Sequence, residues 1–363
     1  MYLILITAFI SLLALIIIHE LGHMLTAKKL GVKVEEFGLG LPPRIWGRKI
    51  GQTLYSLNWI PFGGFVKIYG HEPPVYGDPE SFSEKPFWKK SLIILGGVFS
   101  FWVVSAVILT AVMIIGAPTV IDDSQSKGLI SPKVQVISIT PDSPAQEAGL
   151  KLGDVIKEIR PKDQNPTEIY KVKDVQNFSK AYQGQEIILT VQRGLEFFNV
   201  SLVPREDYPE DDGPMGLGLI RTDLKKYPWY LAPYRGIEAT YNLTKGVIYS
   251  WILLMSNLFS GQGLPPGVQV TGIVGIFQLF TEVGGLGVSY FLQFIAVIAV
   301  HLAIINILPI PALDGGWFIF MLIEKIKGSP LNQKFVQRIS TVFFFLLIVL
   351  MIWITVRDII RIF

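Results

Sequence analysis

Four apolar runs punctuate the chain, at about 2–25, 91–116, 290–313 and 340–358. Each approaches or exceeds the roughly 20 apolar residues that a helix needs to cross a bilayer, so each predicts a membrane span. A fifth stretch, 237–259, is interrupted by Glu238, Thr240, Asn242, Thr244, Lys245, Ser250, Ser256 and Asn257. That pattern predicts an amphipathic helix lying at the interface. Between the first two runs, residues 55–69 place aromatic and β-branched residues around Pro61-Phe62-Gly63-Gly64, which predicts a hairpin. The segment is too apolar for a free loop. It is expected either to dip into the membrane face against protein or to pack on a helix as a cytoplasmic hairpin. From 119 to 205 the pattern changes to short strand-like runs, such as 134–139 and 186–191. Residues 261–288 are rich in glycine and predict a flexible or reentrant connector.

The fold class that follows is a polytopic α-helical membrane protein of about four spans. It carries a membrane-associated β-hairpin and an inserted β-rich domain. Composition agrees: of 363 residues, 50% are hydrophobic and 17% are charged, with a mean hydropathy of +0.46. The net charge of +3 gives no case for nucleic-acid binding. Cysteine is absent, which excludes disulfides, thiolate metal sites and a cysteine nucleophile. The N-terminus lacks a basic region and a small-residue cleavage site, so a cleaved signal peptide is not expected. Loop charge sets orientation. Residues 26–90 carry ten Lys and Arg against six acids, and 322–338 carry Lys325, Lys327, Lys334 and Arg338 against Glu324. Both loops therefore read as cytoplasmic, with both termini and the β-rich domain outside.

Candidate chemistry begins at His19-Glu20-Leu21-Gly22-His23, at the inner end of the first span. On a helix, His19 and His23 share one face, and Glu20 can reach a water on a metal held by that pair. Alone, the motif is short enough to be incidental. The third span ends in Asn306-Ile307-Leu308-Pro309-Ile310-Pro311-Ala312-Leu313-Asp314-Gly315-Gly316. A carboxylate at membrane depth needs a partner. The charge argument runs both spans inward, so Asp314 and the histidine pair lie at similar depth. Two imidazoles, one carboxylate and a position left to water form the ligand set of a catalytic zinc site. Glu20 is then the general base. Asn306 could donate to the substrate backbone or the developing oxyanion; it could equally be a packing asparagine. His71 sits in a polar loop and reads as solvated.

Ser143-Pro144-Ala145-Gln146-Glu147-Ala148-Gly149-Leu150-Lys151-Leu152-Gly153-Asp154 resembles the signature of a bacterial-type PDZ domain. Ser143 would cap a short helix and Gly149 would end it. Such a domain could bind a peptide C-terminus, or serve only as a spacer or size filter. With HExxH in the first span and NxxPxPxLDGG in the third, the chain is similar to the site-2 proteases, intramembrane zinc metalloproteases, and among them to the RseP-like branch. The resemblance implies zinc held by His19, His23 and Asp314, with Glu20 as catalytic base. It implies a membrane-inserted hairpin at about 52–70, including Phe62, Gly63 and Gly64, that holds substrate in extended form. It implies single-span transmembrane substrates, such as an anti-sigma factor or a remnant signal peptide, and a location in the bacterial inner membrane. A catalytically inactive relative that binds membrane segments is the alternative. A transporter would need repeat symmetry, which is not found. Ser100 and His301 stand where relatives often carry Asn, and there is room for a single PDZ domain. The expected divisions are 1–117, 118–206, 207–288 and 289–363.

Overall fold

The computed structural model describes residues 2–362 apart from 163, 195, 210, 211 and 262–270. Residues 262–270 of the glycine-rich connector therefore lie outside the described residues. In chain order the elements begin with α1 (Tyr2–Lys29), β1 (Val34–Ile50), β2 (Thr53–Ile68), α2 (Phe87–Ile115) and β3 (Ala117–Val120). Next come β4 (Lys133–Ile139), α3 (Pro144–Glu147), β5 (Val155–Pro161), β6 (Thr167–Glu168), α4 (Val172–Ala181), β7 (Ile187–Arg193), β8 (Glu196–Leu202) and β9 (Leu217–Lys225). The last five are helices: α5 (Ala232–Phe259), α6 (Ile273–Gly285), α7 (Val288–Ile307), α8 (Asp314–Lys327) and α9 (Gln333–Ile362). They form two compact units, one of residues 1–109, 236–277 and 295–363, the other of 110–235 and 278–294.

Among the described residues, α1, α2, α7 and α9 are long and apolar enough to cross a membrane. This protein is an integral membrane protein. The expected third span is shortened: α7 stops at Ile307 and a new helix starts at Asp314. Pro309 and Pro311 account for the break, since neither can donate an N–H to a continuing helix. The connector also holds more structure than expected, because α6 is a 13-residue helix.

In the first unit, β1 and β2 are longer than a simple hairpin. Val34–Leu39 pairs in reverse order with Gly64–Ile68, and Arg44–Ile50 pairs in reverse order with Thr53–Asn58. Glu36–Leu39 also lies opposite Leu54–Leu57 in rising order. Each strand thus doubles back, β1 near Pro42-Pro43 and β2 near Pro61. The result is a folded sheet in which residues 61–68 form one outer edge. The doubling was invisible in the pattern, because prolines inside an apolar run read as a single turn. Near the fold of β2, Phe62 packs edge-on against Phe9 of α1, with ring centroids 5.8 Å apart. Phe9 lies ten residues before His19, about 15 Å along the helix. Trp46, Trp59 and Phe62 remain largely exposed. The base of the sheet is anchored by Val34, Phe37 and Ile68, which share a core with Met24, Ala27, Ile93, Ile94 and Met321.

The second unit carries a sheet in the order β3-β9-β4-β5-β7-β8, with β6 on β5. Its core is built from alternate strand positions, Val134, Val136, Ile187, Leu189 and Val191, packed with Val175 of α4. Ser143 Oγ caps α3 by accepting from the Gln146 N–H at 3.3 Å, and Gly149 follows at φ +76°. Residues from 207 on read as linker, with 206 the expected limit of the β-rich domain. In the structure β9, at 217–225, joins the sheet between β3 and β4. Pairing between strands so distant in sequence leaves no local signal.

Candidate active site

The site is assembled in the first unit from α1, α2 and the start of α8. On α1, His19 and His23 are one turn apart, and their Nε2 atoms approach to 3.2 Å. Asp314 supplies the third group. Its Oδ2 lies 3.3 Å from His19 Nε2 and 3.4 Å from His23 Nε2. The helix break at Pro309 and Pro311 puts Asp314 in the first turn of α8, free of the preceding span. Gly315 and Gly316 make that turn possible: a Cβ on either would lie 2.2–2.3 Å from the carbonyl oxygens of Ile307, Leu308 or Ile310.

Two features orient the histidines. His23 Nδ1 meets the Ile93 carbonyl oxygen at 2.9 Å. A proton on Nδ1 makes that contact and leaves the Nε2 lone pair free, the arrangement seen when an outer partner fixes a metal-binding imidazole. His19 stacks on Phe101 of α2, with centroids 4.8 Å apart and planes 14° from parallel. Both depend on a close crossing of α1 and α2. A Cβ on Gly22 would lie 2.5 Å from the Gly96 carbonyl oxygen, and one on Gly97 would lie 2.2 Å from His23 Nε2. Small residues permit such close approach between membrane helices. Ile93, Phe101 and these glycines were not expected as site residues. The adjacent Gly96 and Gly97 were the only visible signal.

The β1–β2 sheet closes one side. The Cα-side face of Gly64 is next to Glu20: a Cβ there would be 3.7 Å from Glu20 Cγ and 3.9 Å from Ile17 Cγ1. Gly63 takes φ +103° and faces open space, and Phe62 lies farther along α1. The expected loop residues are thus brought to Glu20 in part, through Gly64. Asn306 is not drawn into the cluster. Its Nδ2 donates to the Leu302 carbonyl oxygen of its own helix at 2.9 Å. His301 Nδ1 likewise meets the Val297 carbonyl oxygen at 2.9 Å, and Ser100 Oγ donates to the Gly97 carbonyl oxygen.

His71 corrects an expectation. Its ring packs between Phe82 (4.7 Å) and Trp317 (4.6 Å) rather than in solvent. Its Nε2 is buried without a hydrogen-bond partner, and burial pushes its pKa down to about 4. The polar residues around it in sequence gave no hint that Trp317, far along the chain, would cover it.

The sequence pattern of peptidase family M50 matches residues 7–350. The chain belongs to that family, the site-2 proteases. A Clostridium perfringens protein named as a zinc metalloprotease is 31% identical over 353 residues, covering 97% of each chain. One from Fusobacterium nucleatum is 30% identical over 359 residues, covering 98% of each. The regulator of sigma-W protease RasP of Bacillus subtilis is 25% identical over 432 residues, covering 96% of each. The protein is thus a site-2-protease-type zinc metallopeptidase of the membrane.

The donor set fits the metal. Bonds of about 2.0–2.2 Å from a tetrahedral zinc set its donor atoms about 3.3–3.6 Å apart. The three atoms here form a triangle with sides of 3.2, 3.3 and 3.4 Å. Asp314 Oδ2 is buried and accepts no hydrogen bond. Without a cation this would leave a desolvated oxygen facing two nitrogen lone pairs, an expensive arrangement.

Proposed function

We propose that the protein hydrolyses peptide bonds within the transmembrane segments of single-span membrane proteins. In this reading His19, His23 and Asp314 hold one zinc ion and Glu20 is the general base. The observation that carries it is the triangle of three donor atoms beside a partly buried carboxylate, Glu20, on the first span. When bound, zinc polarises the scissile carbonyl and lowers the pKa of water to about 7. Glu20 takes a proton from the attacking water and delivers it to the leaving amide nitrogen. His23 is kept in the required tautomer by the Ile93 carbonyl, and His19 is steadied by Phe101. Three side-chain ligands leave a position for water and substrate.

A transmembrane helix satisfies its carbonyls internally, so one must be freed before it can react. The outer edge at residues 61–68 passes Glu20 at Gly64. An extended substrate paired on that edge would regain backbone hydrogen bonds lost on unwinding. Phe62, Gly63 and Gly64 belong to this substrate path, and the side-chain amide of Asn306 is available to a substrate once turned from Leu302.

The same reading places the protein in a bacterial inner membrane, with the basic 26–90 and 322–338 segments inside. The β-rich unit then lies outside and is a PDZ domain. The Ser143 cap and the left-handed Gly149 support that assignment, and a peptide C-terminus is its proposed partner. RasP's name, as a regulator of a sigma factor, supports a regulatory cut such as that of an anti-sigma factor.

The test is Glu20→Gln in reconstituted membranes with zinc measured. Cleavage of a single-span substrate should fall by about 10²–10⁴ while one zinc per chain remains. Undiminished cleavage by Glu20→Gln would sink the mechanism, and wild-type protein with full zinc that cuts no single-span substrate would sink the function.

A further inference from the structure

The first unit holds a two-chambered cavity where the basic 26–90 and 322–338 segments meet. The inner chamber, of about 90 Å³, is walled by His71, Phe82, Trp317 and Phe320. It adjoins an outer one of about 290 Å³. Lys90, Met321, Glu324 and Pro330 line both, so they stand where the chambers join. Together the two fall at the lower end of the range, about 300–1,000 Å³, found for small-molecule sites. None of these side chains has a part in the reaction proposed above.

The cavity is formed before anything enters it. One face of α8 makes the floor: Trp317, Phe320, Met321 and Glu324 follow the i, i+3, i+4, i+7 spacing that lines one side of a helix. The facing segment is tied to itself. Phe82 N–H donates to the Tyr69 carbonyl oxygen at 2.9 Å, and Ser81 Oγ donates to the Val75 carbonyl oxygen at 2.6 Å. The turn after α8 is set by Glu324. Its carbonyl oxygen takes the Gly328 N–H at 2.9 Å, and its Oε1 takes the Leu331 N–H at 2.9 Å. A preformed site avoids the loss of entropy that ordering loops on binding would bring.

The walls are apolar, but the junction is not. Lys90 and Glu324 are both half-buried and feel each other's charge, yet no ion pair joins them. Lys90 lies instead over the Phe82 ring, 5.8 Å from its centroid. His71 adds no charge at neutral pH, since burial holds its pKa at about 4. A cation and an anion set beside an apolar chamber, neither neutralised by the other, match a ligand with both charges at one end and an apolar group at the other.

We propose that this cavity takes a free α-amino acid with an apolar side chain. The carboxylate of the amino acid meets the Lys90 ammonium, and its ammonium meets the Glu324 carboxylate, through charge-assisted hydrogen bonds. The side chain fills the chamber of Phe82, Trp317 and Phe320. An interior peptide segment carries neither charge, so this site is separate from the substrate path at residues 61–68. Asp314 opens the same helix, one turn before Trp317. An occupant packed on this face therefore buttresses the element that supplies the third donor.

The test is equilibrium dialysis of the full chain in detergent against tritiated l-leucine, with unlabelled competitors. Leucine should bind saturably. Isoamylamine lacks the carboxylate and isocaproate lacks the ammonium; each should compete less well by about tenfold or more, the loss expected for one charged hydrogen bond. Lys90→Met and Glu324→Gln should weaken leucine binding by a similar factor, the glutamine keeping an oxygen for the Leu331 N–H. A free amino acid can also chelate zinc, so Asp314→Ala is the control and should bind leucine as the wild type does. Absence of saturable binding at millimolar leucine overturns the inference. So does equal competition by either analogue, which would leave a plain apolar cavity. Binding that Asp314→Ala removes and Lys90→Met spares would put the ligand on the metal and overturn it too. The analogue comparison needs no variant, so it stands even where one misfolds. Cleavage is not measured, so no outcome bears on the peptidase reading.

Discussion

His23 and Gly97 meet so closely that a Cβ on Gly97 would lie 2.2 Å from His23 Nε2. The glycine on α2 is the space in which the imidazole on α1 sits. A Gly97→Ala chain must move His23 or separate the two helices, which also breaks the 2.9 Å contact with the Ile93 carbonyl. Loss of an orienting partner typically costs a metal site about 10–100-fold in affinity or activity. Gly97→Ala should therefore weaken zinc binding by at least about tenfold, measured by competition with a chelator. An unchanged zinc affinity would show that the crossing yields without cost.

Asp314 and Glu20 should separate when metal and catalysis are measured together. Asp314→Ala removes one corner of the donor triangle, so both zinc content and cleavage should be lost. Glu20→Gln should lose cleavage alone. Chelation of the wild type should abolish cleavage, and added zinc should restore it. Equal zinc loss in both variants would assign Glu20 to metal binding instead.

His71 gives a pH dependence with a definite sign. Its pKa in the fold is lowered by burial to about 4 from 6.5. The unfolded chain therefore takes up a proton first as pH falls. Stability from this group is intact above about pH 6.5, declines between 6.5 and 4, and is flat below, with a maximum effect of about 3 kcal/mol. Thermal unfolding from pH 7.5 to 4.5 should show a fall in midpoint that is smaller in His71→Gln. The same slope in both proteins would contradict it.

Asp154 is fully buried and meets Arg193 through two contacts of 2.7 Å. The arginine also donates to the Gly149 carbonyl oxygen, so the pair ties the turn after α3 to the end of β7. Arg193 remains about a third exposed, which moderates the loss. Asp154→Ala should cost about 2–3 kcal/mol, seen as faster hydrogen exchange in β4 and β5 while zinc content is unchanged. Loss of zinc in that variant would be unexpected.

The sequence by itself determined the four apolar spans and the zinc metallopeptidase class, but placed the end of the third span too late. Apolar runs long enough to cross are a local property, and so are the proline breaks before Asp314 and the spacing that sets His19 and His23 on one face. The short cap and turn from Ser143 to Gly149 were equally local. Tertiary structure alone decided the rest. Asp314 stands 291 positions from His23 by residue number, and only folding brings its Oδ2 within 3.4 Å. The Ile93 carbonyl carries no side-chain signature, so its hold on His23 could not be read from any motif. Pairing of β9 with β3 and β4, and the doubling of β1 and β2, depend on hydrogen bonds between backbones distant in sequence. Backbone groups are the same in every residue type but proline, and the sequence therefore leaves their partners unstated.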